Sequence, residues 1–168
     1  FSSTELSKQL SGKSAWASVG TSSYEHAVNA GGSPKDIETI LQLMYLNFTS
    51  PRFDQTDLDN MKKMYIPYFT NMESDPNYIC SKELQKTLYG NNPRVVSLTE
   101  ETLAKANLET IERVYRELFK DAAGAVVTIV GNVDLETLKP MVEKYIGSLP
   151  KGKKASQVNE ENLITFAK

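Results

Sequence analysis

The sequence predicts an α+β chain in which helices lie on an antiparallel or mixed sheet. Long segments with apolar residues at helical spacing make up most of the chain, and strand-like runs are few and far apart, one around 14–30 and one at 125–130. A length of 168 residues, 40% of them hydrophobic, suits one compact domain or two small subdomains.

Taken in order, Ser2 with Glu5 three positions on has capping-box spacing, and Leu6 and Leu10 follow one turn apart, so the chain opens on a short helix. From Ser14 to Ala30 the pattern becomes two-periodic. Trp16 and Ser18 alternate with Ala15, Ala17 and Val19, and Gly20-Thr21-Ser22-Ser23 forms the turn of a β-hairpin. Ser33-Pro34-Lys35-Asp36 starts a long helix: serine caps free N–H groups, proline is preset for the first turn, and aspartate favours the positive end of the dipole. Ile37, Ile40, Leu41, Met44 and Phe48 share its apolar face.

The turn Thr49–Phe53 ends that helix, and Asp54 with Asp57 opens another whose stripe is Leu58, Met61, Tyr65, Tyr68, Phe69 and Met72. Pro67 predicts a kink near Lys63, since its ring removes one N–H and crowds the carbonyl four residues back. Asp75-Pro76 begins a third long helix carrying Ile79, Leu84 and Leu88 and closing at Gly90. Thr99 and Asn107 cap a short and a longer helix, the second with Ile111, Val114, Tyr115 and Leu118 in register. Ala125-Val126-Val127-Thr128-Ile129-Val130 reads as a buried strand. Gly131–Asp134 turns it into a helix bearing Leu135, Leu138, Met141, Val142 and Tyr145, which Gly147 and Pro150 end. Residues 151–161 are a polar linker, and Leu163 to Phe166 is a last short strand.

Composition excludes several functions. Nineteen Lys plus Arg against 21 Asp plus Glu, interspersed along the chain, give no electrostatic footprint for nucleic acid or an anionic membrane. No apolar stretch is long enough to span a bilayer, and Phe1 opens on a polar run unlike a signal peptide, so the chain reads as soluble and as a piece of something longer. One cysteine, Cys80, and one histidine, His26, exclude a disulfide, a thiolate zinc cage and any self-contained site needing two imidazoles. Cys80, near an apolar helix face with no histidine close in sequence, reads as a buried inert thiol. His26 reads as a half-exposed strand residue, because the adjacent Glu25 points to the opposite face. The Gly131 turn resembles the start of a phosphate-binding unit but has one glycine and no Gly-rich fingerprint, so Asp134 is read as a plain helix cap. The stripe of Tyr65, Tyr68 and Phe69 reads first as core packing and alternatively as a ligand platform.

The order of these motifs resembles the pitrilysin/insulinase family of zinc metallopeptidases over about residues 1–150. The residues that carry it are FSSTELSKQL, YEHAVNAGG, the helix from Ser33 through the turn Pro51-Arg52-Phe53-Asp54, LYGNNPR, and the unit from Val126 through Gly131-Asn132-Val133-Asp134 to Pro150. The resemblance implies a metallohydrolase half like those of pitrilysin and the mitochondrial processing peptidases, built from two similar α+β subdomains. Residues 1–95 would be the later part of the first, 96–150 the start of the second, and 151–168 a linker with the possible final strand. It also implies two halves that close around a chamber. One half carries the inverted zinc motif H-x-x-E-H and a third, glutamate ligand from a later helix.

Counting about fifteen residues past the phenylalanine of the turn, where catalytic halves place that glutamate, lands on Tyr68, and an acidic residue usual about seven positions earlier falls on Met61. Tyrosine at neutral pH is a poor zinc ligand. The resemblance is therefore to the non-catalytic half. It implies no catalytic or metal-binding residue and no cofactor in this chain, with zinc in a homologous catalytic half on the same polypeptide or a partner subunit. Peptide substrate would lie in the chamber, in part along a sheet edge such as that of the 14–30 hairpin, with Tyr65 and Tyr68 as the candidate contacts. The alternative is a non-enzymatic structural or assembly subunit of the same fold.

Overall fold

The computed structural model describes residues 2–22, 25–90, 92, 94–95, 98–152, 164 and 166–167. It confirms an α+β chain in which helices pack on a two-stranded antiparallel sheet. The chain divides into two compact units that interleave in sequence: Phe1–Arg52 with Val114–Val158, and Phe53–Arg113 with Asn159–Lys168.

The first unit opens with α1 (Ser3–Gln9), held by the expected capping box: the Glu5 N–H donates to Ser2 Oγ and the Ser2 N–H to Glu5 Oε2. Those bonds hold the Glu5 carboxyl below its ordinary pKa. Strands β1 (Ala15–Thr21) and β2 (His26–Gly32) form the hairpin, with Ala15 opposite Gly32 and Thr21 opposite His26. Burial along β1 alternates as read, with Trp16 and Ser18 outward. The connection is displaced toward residues 22–25, where Ser22 N–H donates to the Glu25 carbonyl at 2.8 Å. The Trp16 ring lies over Gly31, where an added Cβ would come within 3.0 Å of it.

A short 3-10 turn, Pro34–Asp36, leads into α2 (Ile37–Thr49). The serine cap expected here is not made. Asp36 instead accepts from the Ser14 N–H at 2.9 Å, tying the helix entry to the start of β1. Leu41, 1% exposed, lies at the centre of the core with Leu138 and Tyr145 of α7 (Leu135–Tyr145), surrounded by Ile37, Met44, Met141 and Val142. Asp134 caps α7 by accepting from both the N–H and the hydroxyl of Thr137, as a plain cap should.

The run read as a buried strand, Ala125–Val130, is not one here. It is extended, pairs with no strand among the described residues, and leaves Val126 and Val130 about nine-tenths exposed, at 90% and 91%. β-Branched residues favour extended backbone, but a strand is completed only by a hydrogen-bonding neighbour. The expected Leu163–Phe166 strand lies partly outside the described residues; Ile164 and Phe166 are not in a strand.

The second unit consists of α3 (Gln55–Met72), α4 (Pro76–Tyr89), α5 (Glu100–Lys105) and the start of α6 (Leu108–Leu118), with Phe166 stacked on Tyr89 at 5.3 Å between ring centroids. Asp54 and Asp75 cap α3 and α4 through the N–H groups two residues on, each at 2.8 Å. Gly90 ends α4 at φ 61°, backbone that favours glycine. Helix α3 continues through Pro67 to Met72, uninterrupted at the position where a kink is expected. Thr99 forms a capping box with Thr102 at the start of α5, and the side chain of Asn107 accepts from the Thr110 N–H at the start of α6.

Candidate functional site

Two features invite a functional reading, one in each unit. In the second unit it is the outer face of α3. The sequence pattern put Leu58, Met61, Tyr65, Tyr68, Phe69 and Met72 on one inward stripe, but the less exposed side of the helix runs through Leu58, Lys62, Ile66, Phe69 and Met72. Lys62 sets this orientation. Its stem lies in the buried row while its ammonium donates to the carbonyls of Ala104, at 2.9 Å, and Ala106 at the C-terminal end of α5. Periodicity could not find it because a lysine does not count as an inward residue.

With Lys62 inward, Met61, Met64, Tyr65 and Tyr68 fall at i, i+3, i+4 and i+7 along the solvent side of the same helix. Tyr65 is 44% and Tyr68 55% exposed, so core packing, the first reading of this stripe, does not hold among the described residues. The Tyr68 ring meets Phe69 edge-on at 5.4 Å, which fixes one aromatic of the ridge against a partly buried one. The ridge is apolar and aromatic, with two hydroxyls and no carboxylate among its four members. Such a surface can grip apolar and peptide groups; it has no group that could polarise water or hold a metal.

On α4 the apolar positions Ile79, Leu84 and Leu88 are likewise exposed. The cysteine beside them is a correction: Cys80 is an exposed free thiol, not a buried one. Among the described residues no group of three or more His, Cys, Asp or Glu side chains is placed to hold a metal ion.

In the first unit the feature is a cleft of about 760 Å³ lined both by Glu25 with His26–Asn29 of β2 and by residues 123–128, over Met44, Tyr45, Phe48 and Phe119. Phe119 anchors its floor, meeting Phe48 edge-on at 5.8 Å and the exposed His26 at 6.3 Å. The Tyr115 hydroxyl donates to the Asn47 carbonyl at 2.7 Å, and burial pushes its phenol above its ordinary pKa. Near the end of α7, Tyr145 donates to Glu38 at 2.8 Å and accepts from Gln42 at 3.0 Å, while Lys144 approaches the same carboxylate at 3.3 Å. The Tyr145 hydroxyl and Lys144 lower the Glu38 pKa, and bonds to Tyr145 and Glu38 raise that of Lys144. This network clamps α7 to α2; every polar group in it is used structurally.

Residues 105–166 match the family model described as the peptidase M16 inactive domain. An Arabidopsis thaliana protein described as zinc protease PQQL-like is 27% identical over 117 residues, a stretch covering 69% of this chain and 12% of that protein. In fold, the chain is similar to the periplasmic protease PqqL from Escherichia coli, with a TM-score of 0.74 and 21% identity over 99% of this chain and 18% of that one. It is also similar to a peptidase M16 inactive domain from Pseudomonas fluorescens, with a TM-score of 0.65 and 21% identity over 92% and 38% of the two chains. The chain thus spans a minor part of the proteins it matches, and over residues 105–166 it is similar to the inactive-domain type of the M16 peptidase family, which includes pitrilysin and insulinase.

Proposed function

We propose that this chain forms part of the non-catalytic half of a zinc-dependent M16 endopeptidase, walling the substrate chamber and aiding peptide binding while a homologous half supplies the zinc and hydrolyses the peptide bond. The observation that carries the reading is the substitution of chemistry on α3. Where the resemblance places carboxylates in catalytic halves, this helix presents Met61 and Tyr68, and it turns both to solvent beside Tyr65. The family match to an inactive domain supports the same assignment. An exposed aromatic and thioether ridge suits a wall against which extended peptides of varied sequence rest, because rings and thioethers contact many side-chain shapes without demanding one. The remaining contacts, and the catalytic zinc, would come from the rest of the parent protein.

The test is kinetic and uses the parent protein carrying both halves. Replacing Tyr65 and Tyr68 together by Ala raises KM for unfolded peptides about tenfold and leaves kcat within about twofold, as expected when binding shared by ground and transition states is lost. A fall in kcat with unchanged KM would refute a substrate-binding wall. An unaltered rate for every peptide tried would favour the structural or assembly reading of the same fold.

A further inference from the structure

We propose that the outward face of the β1–β2 hairpin is a binding subsite for proline-containing segments of a peptide substrate, with Trp16 as the ring platform and Ser18 and Asn29 as the hydrogen-bonding pair beside it. The inference rests on the reading of this chain as a wall that peptide touches, and it adds a contact that the α3 ridge does not supply. Helix α2 packs on both strands, against the less exposed side that carries Ala15, Ala17 and Val19. Alternation puts Trp16 and Ser18 on the other side, with Gly31 and Asn29 directly opposite them on β2. The outward positions 16, 18, 20, 27, 29 and 31 carry no charge, and apart from Trp16 none holds a residue larger than asparagine. The ring lies flat in this low surround. Its Cζ2, Cε2 and Nε1 atoms are 3.0, 3.1 and 3.2 Å from where a Cβ on Gly31 would sit, so the indole rests broadside on the glycine. At 53% exposure, its opposite face is open to solvent.

The chemistry of the face selects the occupant. The indole N–H of Trp16, the hydroxyl of Ser18 and the carboxamide of Asn29 make no hydrogen bond with any described residue. The first only donates and the other two donate as well as accept, so the face is suited to backbone carbonyls and asks for few backbone N–H groups. A segment with prolines has that surplus, since each proline keeps its carbonyl and lacks the N–H. A pyrrolidine ring also lies flat on an indole, whose negative face attracts the ring's C–H groups. The spacing agrees. The Ser18–Asn29 pair is two residues along from Trp16–Gly31, about 6.8 Å at strand rise, and a polyproline II chain advances about 6.2 Å in two residues. A proline seated on Trp16 therefore brings a carbonyl two residues away over that pair. Asn29 is placed to meet it: its Nδ2 lies 3.5 Å from where a Cβ on Gly20 would sit, so the amide reaches across the outward face toward β1. With no carboxylate on this face, a cationic side chain has no partner beyond the ring. A polyproline II segment is extended before it binds, so docking it on an aromatic surface costs little ordering entropy.

Trp16 is the one tryptophan of the chain, so its emission, excited selectively over tyrosine, reads this face alone. The experiment titrates the chain with the end-blocked peptide Ser-Pro-Pro-Ser-Pro-Pro-Ser. Emission moves to shorter wavelength and saturates, with a Kd about fivefold to tenfold lower than for the same peptide with alanine in place of proline. Asn29→Ala, which leaves the tryptophan in place, weakens binding by a similar factor through the loss of one hydrogen bond. Trp16→Phe and Trp16→Ala are followed by the anisotropy of a dye-labelled peptide; the first weakens binding through loss of the indole N–H, and the second abolishes it. No response to the proline peptide overturns the proposal, as do equal affinity for the alanine peptide and unaltered affinity in Asn29→Ala. Tighter binding of versions carrying phenylalanine or lysine would assign the platform to another side chain, and a shift that grows with protein concentration in the absence of peptide would assign the face to a second copy. Either result refutes the proline subsite. The readout involves no turnover, so a failure here leaves the kinetic test of Tyr65 and Tyr68 standing, and a failure there leaves peptide binding at Trp16 to be read on its own.

Discussion

Lys62 decides which face of α3 is available to a ligand, so its replacement tests the orientation of the proposed site. Its ammonium donates to two carbonyls at the end of α5, and its stem lies among partly buried neighbours. A hydrogen bond from a charged donor contributes about 1.5–3 kcal/mol, and partial solvent access puts the pair together near the lower figure. Lys62→Met keeps the stem and loses the bonds, which costs about 1.5 kcal/mol. Lys62→Ala also loses about three methylenes of half-buried stem, a further 1 kcal/mol or so at about 0.8 kcal/mol per fully buried CH₂. For a compact unit of this size each kcal/mol lowers Tm by about 4–8 °C, so the two variants fall by about 6–12 °C and 10–20 °C. Thermal unfolding followed by circular dichroism reads both. Lys63→Met is the control: its side chain is exposed one position on, and it stays within about 0.5 kcal/mol of the parent. If Lys62→Met melts with Lys63→Met, the inward lysine is not holding α3 to α5, and the exposed ridge of Met61, Tyr65 and Tyr68 loses its structural cause.

Leu41→Ala removes the most buried side chain of the first unit and costs about 3–4 kcal/mol, seen as a lower urea midpoint with unchanged slope, whereas Val126→Ala, at a site 90% exposed, stays within about 0.5 kcal/mol. Glu38 contributes stability above the ordinary carboxylate value of 4.5, because its folded pKa is depressed, and loses it as pH falls toward the folded value. Glu38→Gln therefore lowers Tm at neutral pH, and the gap to the parent closes in acid; a gap independent of pH would show that the carboxylate charge is not what clamps α2 to α7. Cys80 is exposed, so maleimide labels the native chain within about tenfold of its rate on the denatured chain, and strong native protection would restore the buried-thiol reading.

Helix starts were legible in the sequence because their chemistry is local. The Ser2–Glu5 box, Asp54, Asp75, Thr99 and Asp134 each accept from a backbone N–H two or three residues ahead, so a few consecutive residues determine the cap. The hairpin was legible for the same reason, since both of its strands lie within one short stretch. Ser33 shows the limit: a serine with the right neighbours makes no cap where Asp36 is drawn to the Ser14 N–H, a partner 22 residues away in sequence. Burial was less legible. Spacing reports which apolar residues share a helix face, and only a neighbouring element determines whether that face is covered. On α3 the covering element is α5, and the side it covers is chosen by a lysine reaching its terminal carbonyls, a signal absent from any hydrophobic pattern.

Ala125–Val130 and the α3 ridge look alike as apolar surface but differ in what they ask of an occupant. A side-chain ridge such as Met61, Tyr65 and Tyr68 can remain in water without leaving a backbone group unpaired, since it stands on a helix whose backbone is satisfied internally. An extended run has no such internal satisfaction. Every N–H and C=O in it must find water or a neighbouring strand, and β-branched side chains beside those groups hinder water while favouring the strand. The ridge is therefore suited to transient contact and the run to permanent pairing. The proposed peptide binding therefore belongs with the helix face, and mutating the ridge should alter KM alone.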